Sequence, residues 1–524
     1  MKNDYEKTVI VQNRSWLWFG LTAAILTYLF YGTGIHGDDY DFLYIAKNWT
    51  LGDLLKIYKT SPTYFFVLPS MYFNFAQIYF FDHHEVWYDI AKTIISLFAV
   101  YAAWLFSSQY IEKQRAFLFS IVFVLYPLHD ACNYWLVGSY FLMTGAWIML
   151  AHVYINRERN FIGIPLGFIG AFWSYASPAL FGGLSLTFLA AKEYKKFLLF
   201  IIPESIYIVY YLTITKLSGT SEFRTKDVSN ISNVVKQLIL QVGTFLDSAI
   251  GPSFWLKIYY SILSLSWWSF VVSILIGLFF LKLLSKSKPS FNKPLFIAFA
   301  GVGLCGFLIF AISGMYPQIA FNLGNRVTYY GSLLLALFLV SIPWKKPAAL
   351  MVFFTLSMSI AGLSEHWKDW NQKQHGIIEA IRANGELDAI RSNDILFVSG
   401  NQYSHLGPIS HIEFFSESYA VRDIISFAQG KTNDYRISSL NHNYRWENGM
   451  VKDIKYGNTF QVGNEISIYD STNNKLLKIP SAELNIYIAN LPPENRHWIQ
   501  LVRQGWLKDA IIYLMPRLAY VFHN

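Results

Sequence analysis

The feature that most constrains this chain is a series of long apolar runs, free of charge, separated by short basic connections. A helix needs about 20 apolar residues to cross the hydrocarbon core of a bilayer, and within it only helices and closed barrels can satisfy their own backbone polar groups. Runs near 16–31, 86–110, 116–128, 134–155, 161–175, 178–191, 197–217, 255–284, 294–312, 327–342 and 348–363 predict about eleven transmembrane helices. The expected fold class is therefore a polytopic α-helical membrane protein over residues 1–363, followed by a C-terminal soluble α/β domain over 364–524.

Loop charge orients these helices. Connections expected on one side carry Lys113 and Arg115, Arg157 and Arg159, Lys192, Lys195 and Lys196, Lys282 to Lys293, and Lys345 and Lys346. The short intervening connections, 129–133, 174–177 and 315–326, hold no Lys or Arg apart from Arg326. By the positive-inside rule the basic side is cytoplasmic, together with the N-terminus; residues 35–85, 218–254 and everything after 364 fall outside. The first helix lacks a cleavage signature and reads as retained, in a multi-pass protein of the bacterial inner membrane type. The net charge of +8 is explained by these clusters, so nucleic acid is not expected as a partner. Cys132 and Cys305 form no disulfide or zinc pattern.

The long connection 35–85 predicts short helices at 40–49 and 51–58, then an aromatic amphipathic segment at 64–81 lying on the membrane surface. After residue 363 a polar helical pattern covers 365–386. A buried strand is expected at 394–399 (DILFVS), a helix at 419–429, and a hairpin from 460–469 with 476–479. The terminal apolar stretch 510–522 is too short to span.

Under this topology four polar clusters face the same side: Asp38, Asp39 and Asp41; His83, His84 and Glu85; His129 and Asp130; and Asn322, Asn325 and Arg326. Three carboxylates in four residues, at the point where a membrane helix meets water, make Asp38 and Asp39 the foremost functional candidates. A divalent cation held by Asp38, Asp39, His36 and His129 stays open; no other cofactor is expected.

The order of an N-terminal span, an acidic pair, an amphipathic segment, a second span and the short loop Pro127-Leu128-His129-Asp130 through Trp135 to Gly138-Ser139 resembles the GT-C superfamily of membrane glycosyltransferases. The similarity is to its protein O-mannosyltransferase-like branch, over roughly residues 14–160, although Ser139 stands where related sequences often carry Arg. The resemblance implies a lipid-linked sugar donor such as a polyprenyl-phosphate sugar, a glycan, lipid or protein acceptor, and a site at the membrane surface. It implies catalytic roles for Asp38 and Asp39. Substrate binding would fall to Asp41, His83, His84, His129, Asp130, Trp135, Asn325 and Arg326. A polysaccharide polymerase or ligase acting on lipid-linked glycans is the alternative, with Arg224 as the arginine of the 218–254 loop; a transporter is the non-enzymatic one.

Overall fold

The computed structural model describes residues 2–48, 50, 52–53, 68–218, 231–289, 291–314, 316–390, 394–430, 435–454, 457–492 and 506–514. The helices begin with α1 (Lys2–Phe30), α2 (Asp39–Asn48), α3 (Leu68–Phe81), α4 (Glu85–Ser107), α5 (Lys113–Val124), the single turn α6 (Ala131–Tyr134), α7 (Tyr140–Asn156) and α8 (Asn160–Trp173). They continue with α9 (Ser177–Ala190), α10 (Tyr194–Ser218), α11 (Ile231–Ile250), α12 (Pro252–Leu263), α13 (Trp267–Ser285), α14 (Lys293–Ser313), α15 (Tyr329–Ser341) and α16 (Lys346–Ala383). Seven helical stretches are long and apolar enough to cross a membrane, and 16–30, 160–173 and 177–190 are shorter apolar helices. A multi-pass helical membrane protein is the result.

Local chemistry sets several helix ends. The Ser266 hydroxyl accepts the Ser269 N–H at the start of α13, and the Asn292 side chain accepts the Leu295 N–H at the start of α14, just ahead of Pro294. Gly314, at φ 60°, takes the left-handed position that closes α14.

Three sequence expectations are corrected. The 218–254 connection is largely helical, because α11 fills 231–250; its apolar residues recur at helical spacing but are interleaved with Lys236, Gln237 and Gln241, which hid them in a search for uninterrupted runs. The single span expected over 255–284 is two helices, α12 and α13, parted where Ser266 caps the second. The polar helix expected at 365–386 is the continuation of the last apolar run: α16 has 38 residues. At 1.5 Å per residue it is about 57 Å long, well beyond a hydrocarbon core of about 30 Å. Its apolar half packs in the bundle, its polar half carries the C-terminal region, and the 363/364 boundary lies mid-helix.

The C-terminal region contains β1 (Ile395–Ser399), β2 (Tyr403–Leu406), β3 (Ile409–Glu413), α17 (Ser418–Gln429), β4 (Arg436–Ser439), β5 (Tyr444–Glu447), β6 (Met450–Asp453), β7 (Thr459–Gln461), β8 (Glu465–Asp470), β9 (Lys475–Pro480), α18 (Leu484–Ala489) and α19 (Trp506–Leu514). One sheet has the order β4-β1-β8-β9, with β1 parallel to both neighbours and β9 antiparallel to β8. The expected strand at 394–399 and hairpin across 471–475 are thus present, while β7 pairs with β6 in a separate three-stranded sheet. Central in its sheet, β1 is covered on both faces: Leu396 and Val398 join the core that continues into the helix bundle, and Phe397 joins a smaller one with Leu440, Ile466 and Leu484. Most of the expected elements at 51–58 and 510–522 lies outside the described residues.

At one end of the bundle the basic connections meet: Arg115 Nε donates to Ser287 Oγ at 3.1 Å, and the Lys288 N–H reaches Glu112 at 2.8 Å. At the other end the acidic loop, the 127–139 loop, the 323–328 turn and the C-terminal region come together.

Candidate functional site

The acidic loop leaves α1 through Gly32, Gly34 and Gly37, all in the left-handed region. At Gly37, where φ is 51°, a Cβ would lie 2.8 Å from the tip of the Leu323 side chain, so the loop passes close against the 323–328 turn in a conformation that favours glycine. The neighbouring acids then part company. Asp39 is fully buried and accepts backbone N–H bonds from His36 (3.2 Å), Leu136 (3.4 Å) and Val137 (2.9 Å), clamping the acidic loop to the 137–139 turn. Burial pushes its carboxyl up to about 7 against the pull of those N–H donors and of Lys92.

Asp38 is half-buried, as is Arg326 within electrostatic reach of it, and the partly open space between these two side chains is the candidate recess. The Tyr419 hydroxyl, from the first turn of α17, donates to its Oδ1 at 2.9 Å. Burial pushes the carboxyl up to about 6; Tyr419 and the Arg326 charge oppose the rise, and Asp41 and Glu413 add to it. Asp41 meets the same helix one turn further on: Arg422 Nη2 lies 3.6 Å from Asp41 while its guanidinium stacks on Tyr44. Burial and the neighbouring Asp423 carboxyl push the Asp41 carboxyl up, and the Arg422 charge opposes the rise.

Arg326 forms the opposite wall. Its guanidinium lies between Trp135 (5.2 Å) and Tyr316 (4.9 Å), and Nη1 donates to Leu323 O at 2.9 Å. Its Nε is buried without a partner among the described residues, as is Trp135 Nε1. The hydrogen-bonded hydroxyls of Tyr140 and Tyr175, 2.9 Å apart, lie within electrostatic reach of it. Cation, aromatic faces and unused N–H donors together suit an anion.

Behind this wall Asp130 is saturated. Its carboxylate takes Lys257 (2.6 Å), Asn325 (2.5 Å), Trp367 (2.8 Å) and His411 (2.9 Å). Burial alone would raise this carboxyl, but Lys257 and His411 outweigh it and hold it well below the usual carboxylate range. Asp130 and Asn325 thus serve the architecture of the site and do not face the recess.

Other expected site residues stand apart. His83 pairs with Asp82 at 2.8 Å and stacks on His84; both are exposed on the turn between α3 and α4, where nothing draws them to Asp38. His129 is fully buried between Phe123 and Tyr329, both ring nitrogens without a partner among the described residues, and burial takes it down to about 3. His36 bonds Thr33 O at 2.5 Å and lies edge-on to Trp367. With Asp39 also engaged, these side chains do not converge on a cation, and no group of three or more His, Cys, Asp or Glu among the described residues is arranged to hold one.

Tyr419, Arg422, His411 and Lys257 complete the site and were not among the expected residues. Lys257 alone left a signal, as a lone cation within an apolar run. One turn along α7 from Tyr140, Met143 lines an apolar groove of about 420 Å³ whose walls include Phe73, Phe81, Trp87, Ile94 and Trp147. No family model, curated protein or solved structure matches the chain.

Proposed function

We propose that this protein is a membrane glycosyltransferase of the GT-C type, moving a sugar from a polyprenyl-phosphate donor to an acceptor hydroxyl at the extracytoplasmic face. One observation carries the reading: half-buried Asp38 and half-buried Arg326 stand within electrostatic reach of each other, across a recess at the end of the helices. The apolar groove lined by Met143, one turn along α7 from Tyr140, supports a prenyl tail as the donor's anchor.

In this mechanism Asp38 accepts the proton of the acceptor hydroxyl as its oxygen attacks the anomeric carbon. The bond from that carbon to the phosphate oxygen breaks on the opposite face, which inverts the sugar carbon. The electron pair stays on the departing polyprenyl phosphate, and Arg326 stabilises its charge. Asp39 sets the loop and keeps out of the proton transfer. The full proposal includes eleven membrane crossings, a cytoplasmic N-terminus and a C-terminal domain outside, in a bacterial inner membrane.

The test is release of polyprenyl phosphate by the purified protein from a panel of polyprenyl-phosphate monosaccharides. Release by wild type, lost in both Asp38→Asn and Arg326→Ala, supports the proposal. Undiminished release in Asp38→Asn removes the base, and absence of release across the panel favours a polymerase or ligase acting on larger lipid-linked glycans.

A further inference from the structure

The 323–328 turn is short, yet it must hold a guanidinium between two rings. Asn322, which precedes it, sits at φ 70°, a conformation that needs support. That support comes from a distant part of the chain. The Asn322 N–H donates to His411 Nδ1 at 3.1 Å, so Nδ1 is the acceptor and the ring proton is on Nε2. Nε2 in turn donates to Asp130 Oδ2 at 2.9 Å, while Asp130 Oδ1 receives Asn325 Nδ2 at 2.5 Å. Asn325 Oδ1 accepts the Ala131 N–H at 3.2 Å, and Cys132 Sγ lies 3.6 Å from Arg326 O. One imidazole therefore holds the turn at Asn322 directly and at Asn325 through Asp130, on either side of Leu323 and next to Arg326. His411 is itself fixed in β3, stacked on His366 at 5.4 Å and edge-on to Phe321.

We propose that His411, contributed by the C-terminal region, is a positioning residue that aims the Arg326 guanidinium into the recess. The C-terminal region is then half of the anion-binding wall as well as a neighbour of Asp38. The functional consequence rests on the reading of Arg326 as the phosphate-binding group; the positioning itself does not.

Three variants separate the two bonds: His411→Asn keeps an acceptor near the Nδ1 position, His411→Gln keeps a donor near Nε2, and His411→Phe keeps neither. The first readout is the rate of phenylglyoxal modification of Arg326 in the full-length detergent-solubilised protein, followed by mass spectrometry, with exposed His405→Phe on the same hairpin as control. The second is affinity for farnesyl phosphate. His411→Phe is expected to speed Arg326 modification and weaken farnesyl phosphate binding about tenfold or more, the factor a hydrogen bond to a charged group carries. His411→Asn and His411→Gln fall between, and His405→Phe changes nothing. Once Arg326→Ala is present, adding His411→Phe costs no further affinity.

Unchanged Arg326 reactivity in folded His411 variants overturns the inference, as do additive losses in the double variant. If His411→Phe does not fold, the Asn and Gln variants decide. If wild type fails to bind farnesyl phosphate while Arg326 reactivity still responds to His411, the positioning stands and the donor-phosphate reading falls.

Discussion

Asp38 and Asp39 are adjacent in sequence and of one chemical type, and burial separates them. A carboxylate that receives three N–H bonds from the backbone is committed to architecture; one that keeps an open side and faces a cation is free to exchange a proton. Asp38→Asn is expected to cut sugar transfer by about 10² to 10⁴, the usual value of a general base. Asp39→Ala instead strands the N–H groups of His36, Leu136 and Val137, at about 1–3 kcal/mol for each one left buried and unpaired, and lowers the melting temperature in detergent. Because burial places the Asp38 carboxyl at about 6, transfer should rise with pH through that value as the base loses its proton. The Tyr419 hydroxyl favours the charged form, so Tyr419→Phe moves the rising limb to higher pH, with Arg326, Asp41 and Glu413 still facing the carboxyl. A rising limb that stays in place, in rates measured from pH 5 to 9, removes Tyr419 from the base's environment.

At the scale of elements, apolar run length made the membrane helices legible because the bilayer imposes one length and one polarity. It missed α11, whose polar residues interrupt the run, and it merged α12 with α13, because Ser264 to Ser266 is a capping signal too weak to stand out in an apolar stretch. The acidic loop and Arg326 were legible as clusters beside spans. Their partners were not: Asp130 and His411 are 281 residues apart, and Tyr419 is 381 residues from Asp38, so no spacing rule reaches them. Helix contacts also hide in single glycines. In α9, a Cβ on Gly183 would stand 2.2 Å from the Val302 backbone nitrogen of α14, so these helices touch backbone to backbone. Gly183→Val forces them apart, with an expected loss of about 1–3 kcal/mol from overpacking. Gly20→Val meets nothing within 4 Å and is the matched control in the same melting experiment.

For the whole molecule, the two ends of the bundle differ in kind. One gathers Arg115, Lys288 and their neighbours in short connections; the other gathers Asp38, Arg326 and the C-terminal region on the long α16. A bilayer reads that asymmetry as orientation, since Lys- and Arg-rich short loops stay cytoplasmic. On the proposed orientation the C-terminal region and the recess face outward, where the proposed acceptor from the water side would meet a donor anchored in lipid. Exposed positions at the two ends test this: Glu465 on β8 and Ser285 at the end of α13. Cys132 is buried and Cys305 half-buried, so Cys305→Ala removes the more accessible native thiol. A membrane-impermeant maleimide added to intact cells should label Glu465→Cys at once, and Ser285→Cys only after the membrane is opened. The reverse pattern would place the recess in the cytoplasm and move both donor and acceptor to that face, while the Asp38–Arg326 geometry stayed the same.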